Sequence, residues 1–326
     1  PRLRIGTEED LHILRLFQPP FPFFFQELKE SLNSVRRTST DTRFAYLLVL
    51  PVIIFVLGMV AYPIAYSLWL SFQSINLRIG VARFAGVSQY VKVFQDARVP
   101  RAFLISIEFS VLTVALCTLL GLGMALVLNE SFKGRSFLRV LVLIPWAISE
   151  YVTAVLWRML YNDQFGLFNS ILYSLGLIDS YVNLFTDELA VPVVALAYSW
   201  HLAPLGAFFL LASLQVIPED LYKAAKVDGM DSFRRFRHVS LPFLRNALLI
   251  TIVICSLFSF TTLDMIIMMT GGGPGDSTTT ITYLIFKELF VNLRVDYASA
   301  LSYLLLLCMV AFSVLYFSLL TKRRGR

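Results

Sequence analysis

Four residues of one apolar stretch could line a path for a hydroxylated solute. Cys255, Phe258, Ser259 and Thr262 are spaced i, i+3, i+4 and i+7, which places them on one face of a helix. The aromatic ring offers a flat apolar surface to ring C–H groups, and the small side chains offer weak hydrogen-bond partners. Small hydroxyl residues also serve helix–helix packing, so the same face has a second, purely structural interpretation.

Ionisable residues inside apolar stretches form a second group. Glu108, Glu150 and Asp264 could relay protons in a carrier, because carboxylates buried in a membrane are expensive and are usually functional. Glu150 could also face a solute cavity or pair with Arg158. His201 follows a tryptophan on a helix interrupted by proline, which favours a cavity-lining position over a hydrogen-bonded interior one.

Motifs for hydrolytic or nucleotide chemistry are missing from the sequence. It contains no G-x-x-x-x-G-K-[ST], no H-E-x-x-H and no G-x-S-x-G. The three histidines are scattered, and the three cysteines lie in apolar runs without C-x-x-C spacing. We therefore predict no catalytic residues, no metal site and no cofactor bound by this chain.

The composition indicates an all-α integral membrane protein. Of 326 residues, 57% are hydrophobic and 15% are charged, whereas a soluble domain has about a quarter of its residues charged. A membrane helix needs about 20 apolar residues. Six stretches meet this requirement, at residues 44–70, 102–128, 136–161, 190–214, 244–269 and 297–320.

The positions of the basic residues predict the orientation of these spans. Of the 28 lysines and arginines, 20 lie in segments 1–43, 133–139, 223–245 and 322–326, which fall on one side of a six-span chain. Both termini are therefore predicted to be cytoplasmic. We expect a cytoplasmic leader at 1–43 with a short interfacial helix, a membrane domain at 44–320 and a basic tail at 321–326.

One cytoplasmic loop, residues 217–242, has the pattern of two short helices. Pro218 suits a helix start, and Glu219 and Asp220 complement the positive end of the helix dipole. Gly229 is placed to end the first helix with a positive φ angle. A second helix is expected to begin near Asp231 or Ser232, and Pro242 to redirect the chain into the fifth span.

This loop resembles the conserved loop of membrane subunits of binding-protein-dependent ABC importers, with the pattern E-A-A-x3-G-x9-I-x-L-P. The residues at the positions of this pattern are Lys223, Ala224, Ala225, Gly229, Val239, Leu241 and Pro242. Further segments resemble the carbohydrate-importing, maltose-type branch of this family: 217–219, 166–169, 270–274 and 297–302. The resemblance covers residues 44–320. It departs from the family pattern at Lys223, where glutamate is usual.

The resemblance implies the fold and the partners. The fold would be that of a type I ABC importer permease, with six membrane helices and a cytoplasmic coupling helix. The partners would be a second, non-identical permease, an ATPase dimer that binds ATP and Mg, and an extracytoplasmic solute-binding protein. The chain would sit in a bacterial or archaeal inner membrane and import a sugar, oligosaccharide or related solute by alternating access. The alternative from the residues alone is a proton-coupled secondary carrier.

The resemblance also assigns residues to the two functional regions. Coupling to the ATPase would involve Glu219, Lys223, Ala224, Ala225, Asp228, Gly229, Phe236 and Pro242 of residues 217–242, here named the coupling loop. Counting from the motif, the maltose-type solute path would include His201 and Leu205 opposite Cys255, Phe258, Ser259 and Thr262, and Glu150 is the further candidate that the residues themselves suggest.

Overall fold

The computed structural model describes residues 39–76 and 81–321, and most of these residues are helical. The interfacial helix expected in the leader and the tail after residue 321 lie outside the described residues. The first elements are α1 (Ser39–Val56), a π-helical turn (Leu57–Ala61), α2 (Tyr62–Ser71), β1 (Gln73–Asn76), β2 (Val81–Phe84), α3 (Ser88–Gln95) and α4 (Arg98–Asn129). The middle of the chain forms α5 (Arg135–Ala147), α6 (Glu150–Leu160), α7 (Leu167–Ser174) and α8 (Ala190–Gln215).

The coupling loop and the last two spans make up the remainder. They comprise α9 (Glu219–Val227), α10 (Ser232–Arg235), a π-helical turn (Phe236–Ser240), α11 (Leu241–Thr261), α12 (Asp264–Met269), α13 (Ile281–Phe286), a π-helical turn (Lys287–Val291) and α14 (Val295–Thr321). β1 and β2 form an antiparallel hairpin in which Gln73 pairs with Phe84. Helices separated by short breaks are therefore the rule in the second half of the protein.

The described residues contain five to six candidate spans, in agreement with the six predicted, but the predicted third span (136–161) and fifth span (244–269) are each interrupted. Five helices are long and apolar enough to cross a membrane by themselves: Tyr46–Ser71, Arg98–Asn129, Ala190–Gln215, Ser232–Thr261 and Val295–Tyr316. The sixth is the pair α5 and α6, which bends by 94° between Ala147 and Glu150. The sequence-based span 136–161 is correct in extent, but it is not a continuous helix.

The described residues divide into two compact units, which separate between Tyr66 and Ser67. In the second unit, α8 is the central helix and packs along α4, α11 and α5. Its buried side chains occur on all sides, as expected for a helix surrounded by others. The spans that contain α4, α5 and α11 therefore pack around α8.

Glycines allow α4 and α8 to approach closely. A methyl carbon added at Gly121 would lie 3.1 Å from the backbone nitrogen of Ala207 and 3.2 Å from the carbonyl oxygen of Ala203. One added at Gly206 would lie 2.9 Å from the Thr251 methyl carbon on α11. Small residues at such contacts let membrane helices pack backbone to backbone. Three helices therefore meet tightly around Gly206.

Candidate functional site

The coupling loop folds as the two capped helices that its sequence predicts. α9 begins at Glu219, immediately after Pro218, and the chain leaves it through Gly229 with φ +73°. α10 begins at Ser232, and the Asp231 side chain accepts a hydrogen bond from the Arg234 backbone nitrogen at 2.7 Å. A positive φ angle is costly for any residue with a Cβ atom, so glycine suits this turn. The predicted boundaries are confirmed to within one residue.

The coupling loop has one face toward the protein and one toward the surroundings. Ala225 is buried, Phe236 packs against the cluster of Leu210, Leu214 and Leu244, and other predicted coupling residues are exposed: Glu219, Lys223, Ala224, Asp228 and Gly229. The Tyr222 hydroxyl and the Ser240 hydroxyl lie 2.9 Å apart and connect α9 to the π-helical turn. Contacts with the rest of the protein therefore hold α9 in place, and the charged face of α9 stays exposed.

The two most exposed large apolar side chains of the coupling loop were not predicted. Val227 is 88% exposed and Phe233 is 69% exposed. They lie on either side of the Gly229 turn, on the same exposed loop as the charged side chains. The signal in the sequence was an apolar residue on each side of the Gly229 turn.

Lys223, the departure from the family pattern, has partners within its own helix. Its Nζ atom lies 3.0 Å from an Asp220 carboxylate oxygen and 4.0 Å from a Glu219 oxygen. These pairs at i+3 and i+4 are exposed and contribute little to stability. The lysine therefore changes the charge pattern of the open face more than it changes the fold.

Pro242 does not redirect the chain, and that sequence-based expectation is wrong. The helical path runs through from Ser232 to Thr261, and Pro242 is the second residue of α11. A proline inside a helix removes one backbone donor. The π-helical turn at Phe236–Ser240 precedes it, and Leu241 donates its backbone N–H to the Phe236 carbonyl instead. The irregular turn thus accommodates the proline without a break.

The face predicted to line the solute path packs against α4 in this chain. The Cys255 sulfur lies 2.9 Å from the Cys117 sulfur, and the Ser259 hydroxyl lies 2.6 Å from the Ser110 hydroxyl. Phe258 is 48% exposed and is therefore not part of this buried contact. Leu205 is half-buried against the central core. The packing interpretation of the face therefore describes Cys255 and Ser259, and a path role for these residues stays a prediction.

Thr262 is not part of the α11 face, because α11 ends at Thr261 and Thr262 has extended backbone angles. Its hydroxyl donates to the Glu150 carboxylate. The same carboxylate oxygen accepts the backbone N–H of Met265 at 3.4 Å. Glu150 thus bonds to the break between α11 and α12 and does not pair with Arg158, which donates to the Met268 carbonyl at 3.0 Å.

His201 is an interior histidine with hydrogen-bond partners, whereas the sequence favoured a cavity-lining position. It is 8% exposed, and its Nδ1 atom lies 2.8 Å from the Pro145 carbonyl oxygen and 3.4 Å from the Thr153 hydroxyl. A carbonyl only accepts, so Nδ1 carries the proton. The bend after Ala147 deprives the Pro145 carbonyl of its helical donor, and His201 replaces that donor.

A polar network lies at the end of the bundle opposite the coupling loop. The Arg98 guanidinium donates to Asp96 at 2.7 Å and pairs with Glu288, whose side chain is fully buried, at 2.8 Å. The Tyr297 hydroxyl also donates to Asp96, at 2.7 Å. These donors, Arg98 foremost, lower the pKa of Asp96 from 3.8 to about 2. The sequence did not predict this network, because Glu288 and Tyr297 lie far from Asp96 and Arg98 along the chain.

Comparison with known proteins places these features in a family. Residues 117–322 match the family described as the binding-protein-dependent transport system inner membrane component. This range contains the coupling loop, the bend between Ala147 and Glu150 and the break after Thr261. Because it covers more than half of the chain, the match shows membership of the family.

Named relatives are similar over most of the chain. The trehalose/maltose transport system permease protein of Thermococcus litoralis is 37% identical over 279 residues, which is 85% of this chain and 93% of the relative. The sulfoquinovosyl glycerol transport system permease protein of Agrobacterium fabrum is 32% identical, over 80% of this chain and 85% of the relative. The sn-glycerol-3-phosphate transport system permease protein of Yersinia pestis is 30% identical, over 85% and 94%.

The fold has a close counterpart among solved structures. A chain of a bacterial ABC transporter involved in the import of alginate superposes with a TM-score of 0.72 at 23% identity, over 87% of this chain and 96% of that one. This likeness confirms the predicted permease fold. The comparisons give no support to the proton-coupled carrier. The chain belongs to the binding-protein-dependent inner membrane components, as a multi-pass permease subunit of an ABC importer.

Proposed function

We propose that this chain is one of two non-identical permeases of an importer for a sugar, an oligosaccharide or a related polyol ester. The named relatives transport trehalose or maltose, sulfoquinovosyl glycerol and sn-glycerol-3-phosphate, according to their names. These solutes share a skeleton rich in hydroxyl groups. A disaccharide of the trehalose or maltose type is the first candidate, because that relative is 37% identical to this chain.

The coupling loop is the observation that carries the proposal. α9, α10 and the turn between them expose charged side chains together with Val227 and Phe233. On the opposite side, the hydrogen bond between Tyr222 and Ser240 holds α9 against the rest of the protein. A groove on the ATPase would bury the two apolar side chains and form ion pairs with the charged side chains around them. ATP and Mg would be bound by that ATPase, and this chain would bind neither.

The transport cycle follows from this arrangement. Closure of the ATPase dimer on ATP would draw the coupling loops of the two permeases together on the cytoplasmic side. The path would then open to the extracytoplasmic side, where a solute-binding protein delivers its sugar, and hydrolysis would return the path to the inward-facing state. Both termini would lie in the cytoplasm, as the distribution of basic residues predicts.

Reconstitution tests the proposal. The two permeases, the ATPase and the binding protein are placed in vesicles, and uptake of labelled trehalose and maltose is measured with and without ATP on the ATPase side. We expect uptake that needs both ATP and the binding protein. An ATPase variant that lacks its phosphate-binding lysine is the control. Uptake by vesicles without the ATPase would contradict the proposal.

A further inference from the structure

The short helix α12 needs support from outside itself. It has six residues, Asp264–Met269, which is about half the length at which a helix becomes marginally stable alone in water. Its first backbone N–H groups and last carbonyl groups lack partners within the helix. Breaks or turns lie on both sides of it, since Thr262 is extended and the Thr270–Gly273 segment turns.

Helix α6 supplies a charged partner at each end of α12. At the start, the Glu150 carboxylate accepts the Met265 N–H at 3.4 Å and the Thr262 hydroxyl. At the end, the Arg158 guanidinium donates to the Met268 carbonyl at 3.0 Å. An anion at the start of a helix and a cation at its end both stabilise the helix dipole. Glu150 and Arg158 are themselves the first and a late residue of α6, so the two short helices run side by side in the same direction.

Apolar packing fills the space between these two polar contacts. On α6, Ala154 and Trp157 are buried, and on α12 Met265, Ile266 and Met269 are buried. All five belong to one continuous core cluster, which also includes residues of α4, α8 and α11. Within it, α6 and α12 pack directly on each other. This packing, together with the polar contacts at both ends of α12, attaches α12 to α6.

The two breaks that connect this body to the long helices also lie next to each other. One is the bend between Ala147 and Glu150, and the other follows Thr261. The hydrogen bond between Glu150 and Thr262 joins them directly. Movement of packed helices concentrates at such breaks, where few residues absorb the change in backbone angles. The two adjacent breaks can therefore serve as hinges for α6 and α12 together.

We infer that α6 and α12 form one moving body, held together by Glu150 and Arg158, that turns about the two adjacent breaks during transport. Glu150 and Arg158 are positioning residues: they hold α12 on α6, so that closure of the ATPase moves both half-helices at once. That this movement serves transport rests on the proposed function. It makes Glu150 a hydrogen-bond acceptor rather than a proton carrier.

Neighbouring threonines provide a matched pair of variants. Thr262→Val removes the hydroxyl that bonds to Glu150, with almost no change in volume. Thr261→Val is the control, because the Thr261 hydroxyl is exposed and bonds to the Leu257 carbonyl of its own helix at 2.9 Å. We expect Thr262→Val to lower the amount of solute moved per ATP about tenfold, a usual size for coupling between sites. Thr261→Val should match the wild type, and equal behaviour of the two variants would overturn the inference.

Substitutions of Glu150 separate a positioning role from proton transfer. Glu150→Gln keeps an oxygen that accepts both hydrogen bonds and should retain transport, whereas Glu150→Leu should uncouple ATP hydrolysis from transport. Arg158→Lys should be milder than Arg158→Leu, since a lysine can still donate to the Met268 carbonyl. Loss of transport in Glu150→Gln together with normal coupling in Thr262→Val would show that the carboxylate acts by its charge or proton, and would overturn the inference.

Distances between spin labels test the rigid body directly in the assembled complex. With the exposed Cys308 replaced by serine, labels on Met159→Cys and Asp264→Cys report α6 against α12. Labels on Met159→Cys and Leu104→Cys report α6 against α4. The first distance should be the same without nucleotide and with bound ATP, and the second should change. A change in the first distance overturns this inference alone, whereas a wild-type complex that moves no solute overturns the proposed function.

Discussion

Tyr198 and His201 lie one turn apart on α8, and each donates a hydrogen bond to a different interrupted span. The Tyr198 hydroxyl donates to the Phe258 carbonyl near the end of α11 at 3.3 Å, and His201 Nδ1 donates to the Pro145 carbonyl near the end of α5 at 2.8 Å. Their rings are 6.0 Å apart and nearly parallel. One face of the central helix thus supplies donors at both breaks. Removing a donor there leaves a buried carbonyl without its partner.

Substitution of His201 tests that role. His201→Phe keeps a ring of similar shape and removes the donor, so we expect a loss of about 1–3 kcal/mol in the free energy of unfolding, the usual cost of a buried group left unpaired. His201→Asn or His201→Gln, which carry an amide donor, should recover part of it. Thermal unfolding of the purified complex measures the effect. Full stability in His201→Phe would contradict the structural role.

Substitution of Gly229 tests the turn between α9 and α10. Valine at φ +73° is strained by about 1–3 kcal/mol, so the turn should distort and move Val227 and Phe233. We expect loss of solute-stimulated ATP hydrolysis and weaker binding of the ATPase, measured by hydrolysis assays and co-purification. Gly229→Asn, which tolerates positive φ angles better, is the control and should be milder. Wild-type assembly and hydrolysis in Gly229→Val would contradict the docking role.

Charge reversal at Lys223 tests which charge the ATPase prefers at this position of the coupling loop. Lys223→Glu replaces two attractive contacts, to Asp220 and Glu219, with two repulsive ones. The cost to α9 is about 0.2–0.5 kcal/mol for each pair, so the fold should persist. We expect impaired coupling, measured as solute moved per ATP, with Lys223→Gln intermediate. Improved coupling would mean that the groove still prefers the glutamate of the family pattern.

The Asp96 network predicts an acid-sensitive contribution to stability. The pKa of Asp96 is about 2 in the folded protein against an ordinary value of 3.8. Its bonds to Arg98 and Tyr297 therefore contribute fully above about pH 4, and the contribution is lost as the pH falls toward 2. We expect Asp96→Asn to lower the unfolding temperature at pH 7. The difference from wild type should shrink below pH 4, and a difference that does not depend on pH would contradict the assignment.

Substitution of Gly206 tests the close approach of α8 and α11. The Cβ atom of an alanine would lie 2.9 Å from the Thr251 methyl carbon, and a valine would require a larger shift. Overpacking of this kind costs about 1–3 kcal/mol. We expect Gly206→Val to lower the yield and unfolding temperature of the complex more than Gly206→Ala does. Gly123→Val is a control on α4, since nothing lies within 4 Å of an added carbon there.

Much of the fold could be predicted from patterns that act over short distances. The six spans follow from runs of apolar residues, because a lipid-exposed helix must be apolar along its length. The capped helices of the coupling loop follow from Pro218, Gly229 and Asp231, which act on the backbone beside them. These features need only neighbouring residues, so a single sequence contains them.

The candidate site depended on contacts between residues that are distant in the sequence. Only the tertiary structure places Glu150 on Thr262 and His201 on Pro145, because helix breaks decide which backbone groups lose their partners. Only packing decides that Cys255 and Ser259 face Cys117 and Ser110, since the periodicity that puts them on one face is the same for a path and for a packed interface. The sequence by itself determined the spans and the coupling loop, and the arrangement of the helices determined what each polar side chain inside them does.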